Sequence, residues 1–465
     1  MNKSPNILWY CTDQQRFDTI GALGNPHVRT PVLDSLVSEG TAFTHTYCQS
    51  PICTPSRASF MSGLYPSRVH NTRNGNETFP EQTPVISKLI ADAGYDCGMI
   101  GKFHLQSSGK RTEPRIDDGF RYWKFSHAPR DDWEEGHDYA DWVKEQGGNL
   151  NLLRESEDGV PTELHQTTWA SERSIEFIRQ ERDGPWLLNV NVYDPHPPFT
   201  PPKSYAEQFD PKEMPGPHFK ESDLEAQAKL ADCDFQDEVR TPEEHDAQGA
   251  QARYYAMIAQ IDDQFGRILK TLDETGQRDN TVIIFTSDHG ETLGDHGLMY
   301  KGCRFYEGLV RVPLIFCWPG HFQENKQSDS LVEMMDLSAS LLELAGVPLP
   351  DYFQGKSLLP ILTGESDGAD HREFVRCEYF DALDPHFTGG SGTFATMHRT
   401  HRHKLCVYHG KGIGELFDLK DDPWEHENLW NDPAHADVKN QLLAESFDAH
   451  VLLTTDVGSK RIAPM

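Results

Sequence analysis

The sequence predicts an α/β fold: a large, mainly parallel sheet sandwiched by helices, followed by a smaller C-terminal α+β domain that contains an antiparallel sheet. Three observations carry this expectation. Short apolar runs of strand length alternate with helical patterns, as they do where helices cover both faces of a parallel sheet. Two of the helical patterns open on Thr-Pro and close on Gly, which punctuates the βα steps. After about Gly364 the apolar runs become short and closely spaced, with turns between them, which is the pattern of antiparallel strands. The domains are accordingly placed at 1–364 and 365–465.

Asn6 to Cys11 reads as a buried strand, and Thr30-Pro31 then opens a helix with Val32, Leu33, Leu36 and Val37 on one face and Gly40 at its end. Thr83-Pro84 repeats the grammar: Val85, Ile86, Leu89 and Ile90 form the buried face, Gly94 closes the helix, and Tyr95 to Ile100 is the next strand. A helix from about Trp169 to Gln180 leads to a strand from Trp186 to Tyr193. A long helix, with Tyr254, Ile258, Ile261, Phe265, Leu269 and Leu272 at spacings of three or four, leads to Thr281 to Phe285. Val312 to Trp318 is another strand, followed by a helix capped by Asp336 and ended by Gly346. The C-terminal strands are Glu373 to Phe380, Thr393 to His398, Lys404 to Tyr408 and Glu415 to Leu419. Two stretches, about 111–163 and 201–248, lack periodicity and are rich in charge, Gly and Pro, so they read as surface insertions.

Over 465 residues, Lys+Arg 43 against Asp+Glu 73 leaves a net charge of -30. That balance argues against nucleic acid or an anionic membrane surface as partner, because binding phosphates needs clustered cations. No apolar run is long enough to span a bilayer. The nine cysteines are odd in number and scattered, with no CxxC pair, so neither a disulfide framework nor a zinc ribbon is expected. Met1 to Pro5 run directly into Ile7-Leu8-Trp9-Tyr10 without a basic segment and long apolar stretch. The expectation is a reduced, cytoplasmic protein, periplasmic or secreted only if a signal has been trimmed away.

Functional groups in an open α/β sheet collect just past the carboxyl ends of its strands. Four predicted strands end in reactive residues: Asp13-Gln14, Gly101-Lys102-Phe103-His104, Asp194-Pro195-His196 and Ser287-Asp288-His289-Gly290. Singly, each is as readily a cap or turn residue. Together, Asp13, Gln14, Asp288 and His289 offer two carboxylates, an amide oxygen and an imidazole. That set suits Ca²⁺, Mg²⁺ or Mn²⁺ better than a thiolate-seeking metal. In Cys53-Thr54-Pro55-Ser56-Arg57, Pro55 at a helix start leaves Cys53 beside the positive end of the dipole, where an anion or an activated nucleophile is favoured.

The Cys-x-Pro-Ser-Arg segment, set in Ser50-Pro51-Ile52-Cys53-Thr54-Pro55-Ser56-Arg57-Ala58-Ser59-Phe60-Met61-Ser62-Gly63, resembles the signature of type I sulfatases of the alkaline-phosphatase superfamily. The likeness extends in order over about four-fifths of the chain. It takes in Pro5 to Leu8 with Asp13, Gly101 to Leu105, Pro195 to Phe199, Thr286 to Gly290, Lys301, Arg311 to Pro313, and Glu415 to Leu419 with Asp422 to Glu425 and Asn428-Leu429. The resemblance implies an alkaline-phosphatase-like sheet and a sulfuric ester hydrolase that cleaves a sulfate monoester. It also implies that Cys53 is oxidised to 3-oxoalanine (formylglycine) by a formylglycine-generating or sulfatase-maturating enzyme. One hydroxyl of the hydrated aldehyde would attack sulfur, and the other would then lose its proton and expel sulfate.

By the same resemblance Asp13, Gln14, Asp288 and His289, with the modified Cys53, hold one divalent ion. Gln14 and His289 depart from the Asp and Asn common there and look like the choline-sulfatase and phosphonate monoester hydrolase branches; family habit offers Ca²⁺, and the imidazole brings in Mn²⁺ beside Mg²⁺. Arg57 steadies the nucleophile, Lys102 and Lys301 clamp the sulfate, His104 assists sulfate release, and His196 with Lys301 protonates the leaving alcohol. Asn74 matches a sulfate-contacting amide, and Arg399 and Arg402 lie on a strand that faces the substrate pocket in relatives.

The alternative reading is a phosphonate monoester or phosphodiester hydrolase with the same nucleophile. Lys102 and His104 speak for the sulfatase, since the phosphonate branch usually has uncharged hydroxyl residues there. A non-catalytic binding protein with unconverted Cys53 is the third reading. Aromatics in the insertions and the C-terminal region (Trp123, Trp133, Trp142, Tyr352, Phe387) suit a small sulfated substrate such as a sugar. Oligomeric state is left open.

Overall fold

The computed structural model describes residues 4–81, 83–108, 112–130, 136–156, 158–383 and 392–454. Its centre is an eight-stranded sheet of β1 (Asn6–Thr12), β2 (Thr41–Tyr47), β3 (Asp96–Gly101), β4 (Tyr122–Phe125), β5 (Trp186–Asn191), β6 (Thr281–Ser287), β7 (Arg311–Cys317) and β8 (Lys326–Glu333). In space the order is β4-β3-β5-β1-β6-β7-β2-β8. From β4 to β6 all neighbours are parallel. β7 runs antiparallel to β6 and β2, and β8 is parallel to β2.

β1, β5 and β6 are buried at every residue, which is why they read as continuous apolar runs. Successive residues point to opposite faces. Ile7, Trp9, Cys11, Leu187 and Ile284 pack with Phe60, Ile86 and Leu341 on one side, whereas Leu8, Tyr10, Leu188, Ile283 and Phe285 pack with Leu33, Trp169, Ile261 and Phe265 on the other. The second group comes from α1 (Pro31–Glu39) and from the Gln166–Ile178 and Ala247–Glu274 helices. A separate antiparallel sheet, β12-β11-β10-β9, comprises β9 (Val375–Phe380), β10 (Phe394–Arg399), β11 (His403–Tyr408) and β12 (Ile413–Asp418). Cys377, Met397 and Cys406 join it to the first of the two cores.

The expected fold class stands, and the differences in individual elements have local causes. β2, β4 and β8 escape the sequence reading because TAFTHTY and KQSDSLVE are polar for strands and YWKF is only four residues long. β4 belongs to the stretch expected to be a surface insertion, yet it closes the edge of the main sheet beside β3. The helix after Thr83-Pro84 begins at Ile86 with extended Val85 as its cap. Asp336 is the third residue of the Met334–Leu344 helix, not its cap; its carboxylate accepts the Glu333 N–H at 3.0 Å, closing a capping box. The Ala436–Thr454 helix was not expected, because its apolar residues are not confined to one face: Leu442 is buried while Phe447 and Leu452 are exposed.

Arg372 ties the Met334–Leu344 helix to the approach to β9. Its guanidinium holds Asp336 at 2.5 and 2.7 Å and Glu333 at 3.1 Å, all three side chains being buried. Burial alone would push the Asp336 carboxyl up; Arg372, helped by His371, holds it well below the usual carboxylate range. A depressed folded pKa gives stability that is present above the unfolded carboxylate value and lost as pH falls below it. Arg372→Met should therefore cost about 3–5 kcal/mol at neutral pH. In urea denaturation the deficit should shrink as pH approaches about 4, where Asp336 can take up a proton. A deficit that does not change with pH would show that packing, not charge, accounts for the loss.

Candidate active site

β3, β5, β1 and β6 are consecutive parallel neighbours, so their carboxyl ends lie on one edge of the sheet. That edge carries Lys102, His196, Asp13-Gln14 and Asp288-His289. Lys102 follows Gly101, which has a φ of 98° and stands so close to the neighbouring strand that a Cβ would run into the Asn191 carbonyl oxygen; only glycine fits there. Facing the edge is α2 (Cys53–Ser62), buried along its whole length. Cys53 is its first residue and extended Ile52 its cap; Pro55 stands third. The thiol therefore lies at the positive end of the helix dipole, and Arg57, one turn on, projects from the same side.

Cys53 Sγ lies 2.9 Å from Lys301 Nζ, 3.1 Å from His289 Nε2, and 3.7 Å from both Lys102 Nζ and Asp13 Oδ1. Lys102 pairs with Asp13 at 2.5 Å. Arg57 donates to Asp288 Oδ2 at 2.8 Å, approaches Asp13 Oδ2 at 3.4 Å, and donates to the Lys102 carbonyl at 2.7 Å. Lys301 Nζ also reaches Gln14 Oε1 at 2.8 Å and His196 Nε2 at 3.0 Å. Donor atoms of Asp13, Cys53, Asp288 and His289 all lie within 4.8 Å of one another, so these residues fit a divalent ion. Most of the cluster is buried, and His196 is its partly exposed member.

Elementary donor–acceptor chemistry fixes two orientations. Gln14 Nε2 lies 2.5 Å from Glu291 Oε2; the Glu291 carboxylate accepts, so the amide nitrogen must face it and the amide oxygen must face Lys301 and the site. Tyr254 donates its hydroxyl to the Gln14 carbonyl at 2.6 Å and helps hold this residue at a φ of 71°. His289 Nδ1 lies 2.8 Å from the Gly290 carbonyl oxygen, which can only accept. Nδ1 therefore carries a proton, and Nε2 is turned toward Cys53, Asp13 and Asp288.

The charges are strongly interdependent. Burial opposes ionisation of the Cys53 thiol, yet Lys102, Lys301 and His289 together pull it well below its usual value. Burial and Cys53 push Asp13 up, and Lys102, His196 and Arg57 more than reverse this. His104 is lowered too, but as a base it is thereby kept neutral: burial and Lys102 bring it to about 4, so its imidazole is uncharged near pH 7 while lying within hydrogen-bonding reach of Cys53.

The structure thus gathers Asp13, Gln14, Cys53, Arg57, Lys102, His104, His196, Asp288, His289 and Lys301. Asn74 sits beside them, its Oδ1 accepting the Thr54 N–H at 2.9 Å at the start of α2, so a contact with a bound anion would fall to Nδ2. Arg399 and Arg402 are not brought in. Arg399 is buried over the Tyr47 ring, 3.7 Å from Glu307, and Arg402, in the turn between β10 and β11, pairs with Asp418 at 2.7 Å. Trp123 packs among Phe103, Phe120 and Arg115, and Trp142 against Tyr139. Trp133 and Phe387 lie outside the described residues. Glu291 and Glu113 were missed. Glu113 accepts the N–H groups of His104, Leu105 and Gln106 at 2.6, 2.7 and 3.2 Å and so shapes the turn that presents His104. No local pattern marks either glutamate; only the fold brings them to their partners.

A helix led by a buried cysteine and aimed at four adjacent strand ends with metal-type donors is the arrangement that the resemblance to hydrolases of the alkaline-phosphatase superfamily implies. The sequence model described as Sulfatase matches residues 5–347, and that of the N-sulphoglucosamine sulphohydrolase C-terminal region matches 294–450. The chain belongs to the sulfatase family, which makes it a sulfuric ester hydrolase. It is 30% identical over 454 residues to an arylsulfatase of Clostridium perfringens, covering 92% of this chain and 90% of that one. It is 26% identical to an N-acetylglucosamine-6-O-sulfatase of Bacteroides thetaiotaomicron, covering 95% and 85%. The solved phosphonate monoester hydrolase of Silicibacter pomeroyi superposes with a TM-score of 0.82 at 25% identity, over 97% of this chain and 96% of that one.

The Glu291 contact can be tested directly. In Glu291→Gln the new amide keeps its oxygen on the Leu293 and Tyr300 N–H groups and turns its NH₂ toward Gln14, which forces the Gln14 amide to flip. Divalent-ion affinity, read by titration calorimetry, should fall about 10–100-fold with the fold intact. Unchanged affinity would show that the Gln14 oxygen takes no part in holding the ion.

Proposed function

We propose that the chain hydrolyses a sulfate monoester of a small organic substrate, with a sulfated sugar the favoured class, using Cys53 after its conversion to formylglycine. The observation that carries this is the enclosure of Cys53 Sγ by Lys301, His289, Lys102 and Asp13 at the head of α2. Conversion would supply a hydroxyl nucleophile in place of a thiol. A divalent ion held by Asp13, Gln14, Asp288 and His289 would supply Lewis-acid polarisation and charge neutralisation, with Ca²⁺ our first choice and Mn²⁺ or Mg²⁺ next.

The remaining work falls to the protein's own groups. Lys102 and Lys301 each bring a buried ammonium within 3.7 Å of Sγ, where a sulfate would be drawn in and its oxygens held. Arg57, fixed between Asp288 and Asp13, keeps the two carboxylates and α2 in register. His196 Nδ1 lies 2.7 Å from the Pro197 carbonyl oxygen, so it carries a proton and leaves Nε2 to accept from Lys301. Burial and Lys301 lower the His196 pKa, and a proton can reach the leaving oxygen from the Lys301 ammonium directly or through His196, 3.0 Å away. Neutral His104, held by Glu113, can accept the proton released as sulfate departs.

The sugar class draws support from the kinship to an N-acetylglucosamine-6-O-sulfatase, and the phosphonate reading from the superposition on a phosphonate monoester hydrolase. Lys102 beside neutral His104 favours the sulfatase. The proposal includes a maturating enzyme as transient partner. It also includes a cytoplasmic location, which the nine free thiols support.

Two measurements test the proposal. Peptide mass analysis of active protein should show the Cys53 peptide about 18 Da lighter than the unmodified sequence requires. Fully active protein that retains the thiol would remove formylglycine from the mechanism. In a panel of aryl sulfate, choline sulfate, sulfated monosaccharides and a phosphonate monoester, kcat/KM should be highest on a sulfate, and Cys53→Ala should lower it at least about 10³-fold. A phosphonate turned over faster than every sulfate would make the second reading the right one.

A further inference from the structure

Away from the Cys53 site, three segments distant in sequence meet at Asp223, His296 and His426. Asp223 is the third residue of the Glu221–Ala228 helix, His296 lies in the Asp295–Gly297 turn that follows β6, and His426 lies in the loop after β12. His426 Nδ1 stands 3.1 Å from each Asp223 carboxylate oxygen, and His296 Nδ1 stands 3.6 Å from Oδ1. One donor atom from each residue lies within 4.8 Å of the other two. Asp223 and His296 are 2% and 3% exposed, and His426 is half-buried. Tyr306 stacks on His296 at 3.8 Å and fixes its ring, and the Lys220 N–H bonds Asp223 Oδ2 at 2.8 Å.

We propose that these three residues form a second, structural metal site, selective for a first-row transition ion of the Zn²⁺ type. Two imidazole nitrogens and one carboxylate suit Zn²⁺ better than Ca²⁺ or Mg²⁺, which take oxygen donors. Donors about 2.0–2.1 Å from a tetrahedral ion stand about 3.3–3.4 Å apart, and the 3.1 and 3.6 Å from Asp223 Oδ1 to His426 Nδ1 and His296 Nδ1 bracket that spacing. His426, with 9% of its side chain exposed, is the most exposed of the three donors. Bound there, the ion clamps the 201–248 insertion and the loop after β12 to the loop that runs from the catalytic strand β6 toward Lys301. The site is independent of the reading given for Cys53.

The test uses the full chain and Zn²⁺ alone, with uptake measured by equilibrium dialysis and elemental analysis. Asp288→Asn, which weakens the Cys53 site, should still take up one equivalent. Placed in the Asp288→Asn background, His426→Gln, whose amide can still donate to Asp223, should bind that equivalent at least about 100-fold more weakly. In EDTA the double variant's Tm should equal that of Asp288→Asn, and the rise in Tm that Zn²⁺ gives Asp288→Asn should be absent. If His426→Gln does not fold, Asp223→Asn is read in the same assay. Zn²⁺ uptake unchanged in the variant that folds, or no equivalent retained by Asp288→Asn, would overturn the proposal and leave a hydrogen-bonded Asp–His cluster.

Discussion

The bridge from Arg57 to Asp13 and Asp288 is the interaction on which the site depends. All three side chains are at most 1% exposed, and a carboxylate so placed is tolerable only beside a fixed cation. The bridge joins α2 to the ends of β1 and β6, and through the Lys102 carbonyl to the end of β3. The position of Cys53 relative to three strands is thus set by one guanidinium. The same bridge explains why Lys102 can be buried: Asp13 Oδ2 receives both cations. Arg57, Lys102, Lys301 and His289, whose imidazole is pushed up to about 9, stand against the two aspartates and the ionised thiol. Replacement of that thiol by a neutral aldehyde, with a divalent ion added, would leave a surplus that an anionic substrate relieves. Such a site binds anions although the chain as a whole carries -30, because in a buried site the near charges dominate.

Much of this was legible in the sequence, and what was legible shares a physical origin. Strands buried on both faces must be apolar throughout, so β1, β5 and β6 stood out, and their carboxyl ends pointed to Asp13, His196 and Asp288. The Cys53 segment was legible because a helix start, a proline and an arginine one turn on make a local pattern. β2, which pairs on both sides, and β8, at the sheet edge, were not, since their polar residues leave no apolar run or clean alternation to read. Glu291 and Glu113 were hidden for another reason. Their partners are the Gln14 amide and the backbone of residues 104–106, and nothing in their own neighbourhoods announces those contacts. Arg399 and Arg402 erred in the opposite sense: basic residues on a strand read as ligands for an anion, but Glu307 and Asp418 lie close enough to claim them.

The nine cysteines show how position alone can assign one residue a chemistry withheld from the others. All nine are buried, and burial by itself raises a thiol pKa. It does so at Cys11, Cys97, Cys233, Cys303, Cys317, Cys377 and Cys406, each of which is pushed up chiefly by desolvation. Cys53 is as buried as Cys303, yet it moves the other way, because Lys102 and Lys301 stand against its sulfur. Cys11 makes the comparison sharp. It ends the apolar run of β1 two residues before Asp13, and Arg57 and Lys102 act on it too, but Asp288 and Asp13 oppose them and desolvation prevails. Lys102 acts on both thiols, but Lys301 and His289 stand against Cys53 alone, at the head of a helix. An oxidising or electrophilic reagent that discriminates by thiolate character would prefer Cys53 over the seven thiols that burial pushes up, at the position where the proposed chemistry requires it.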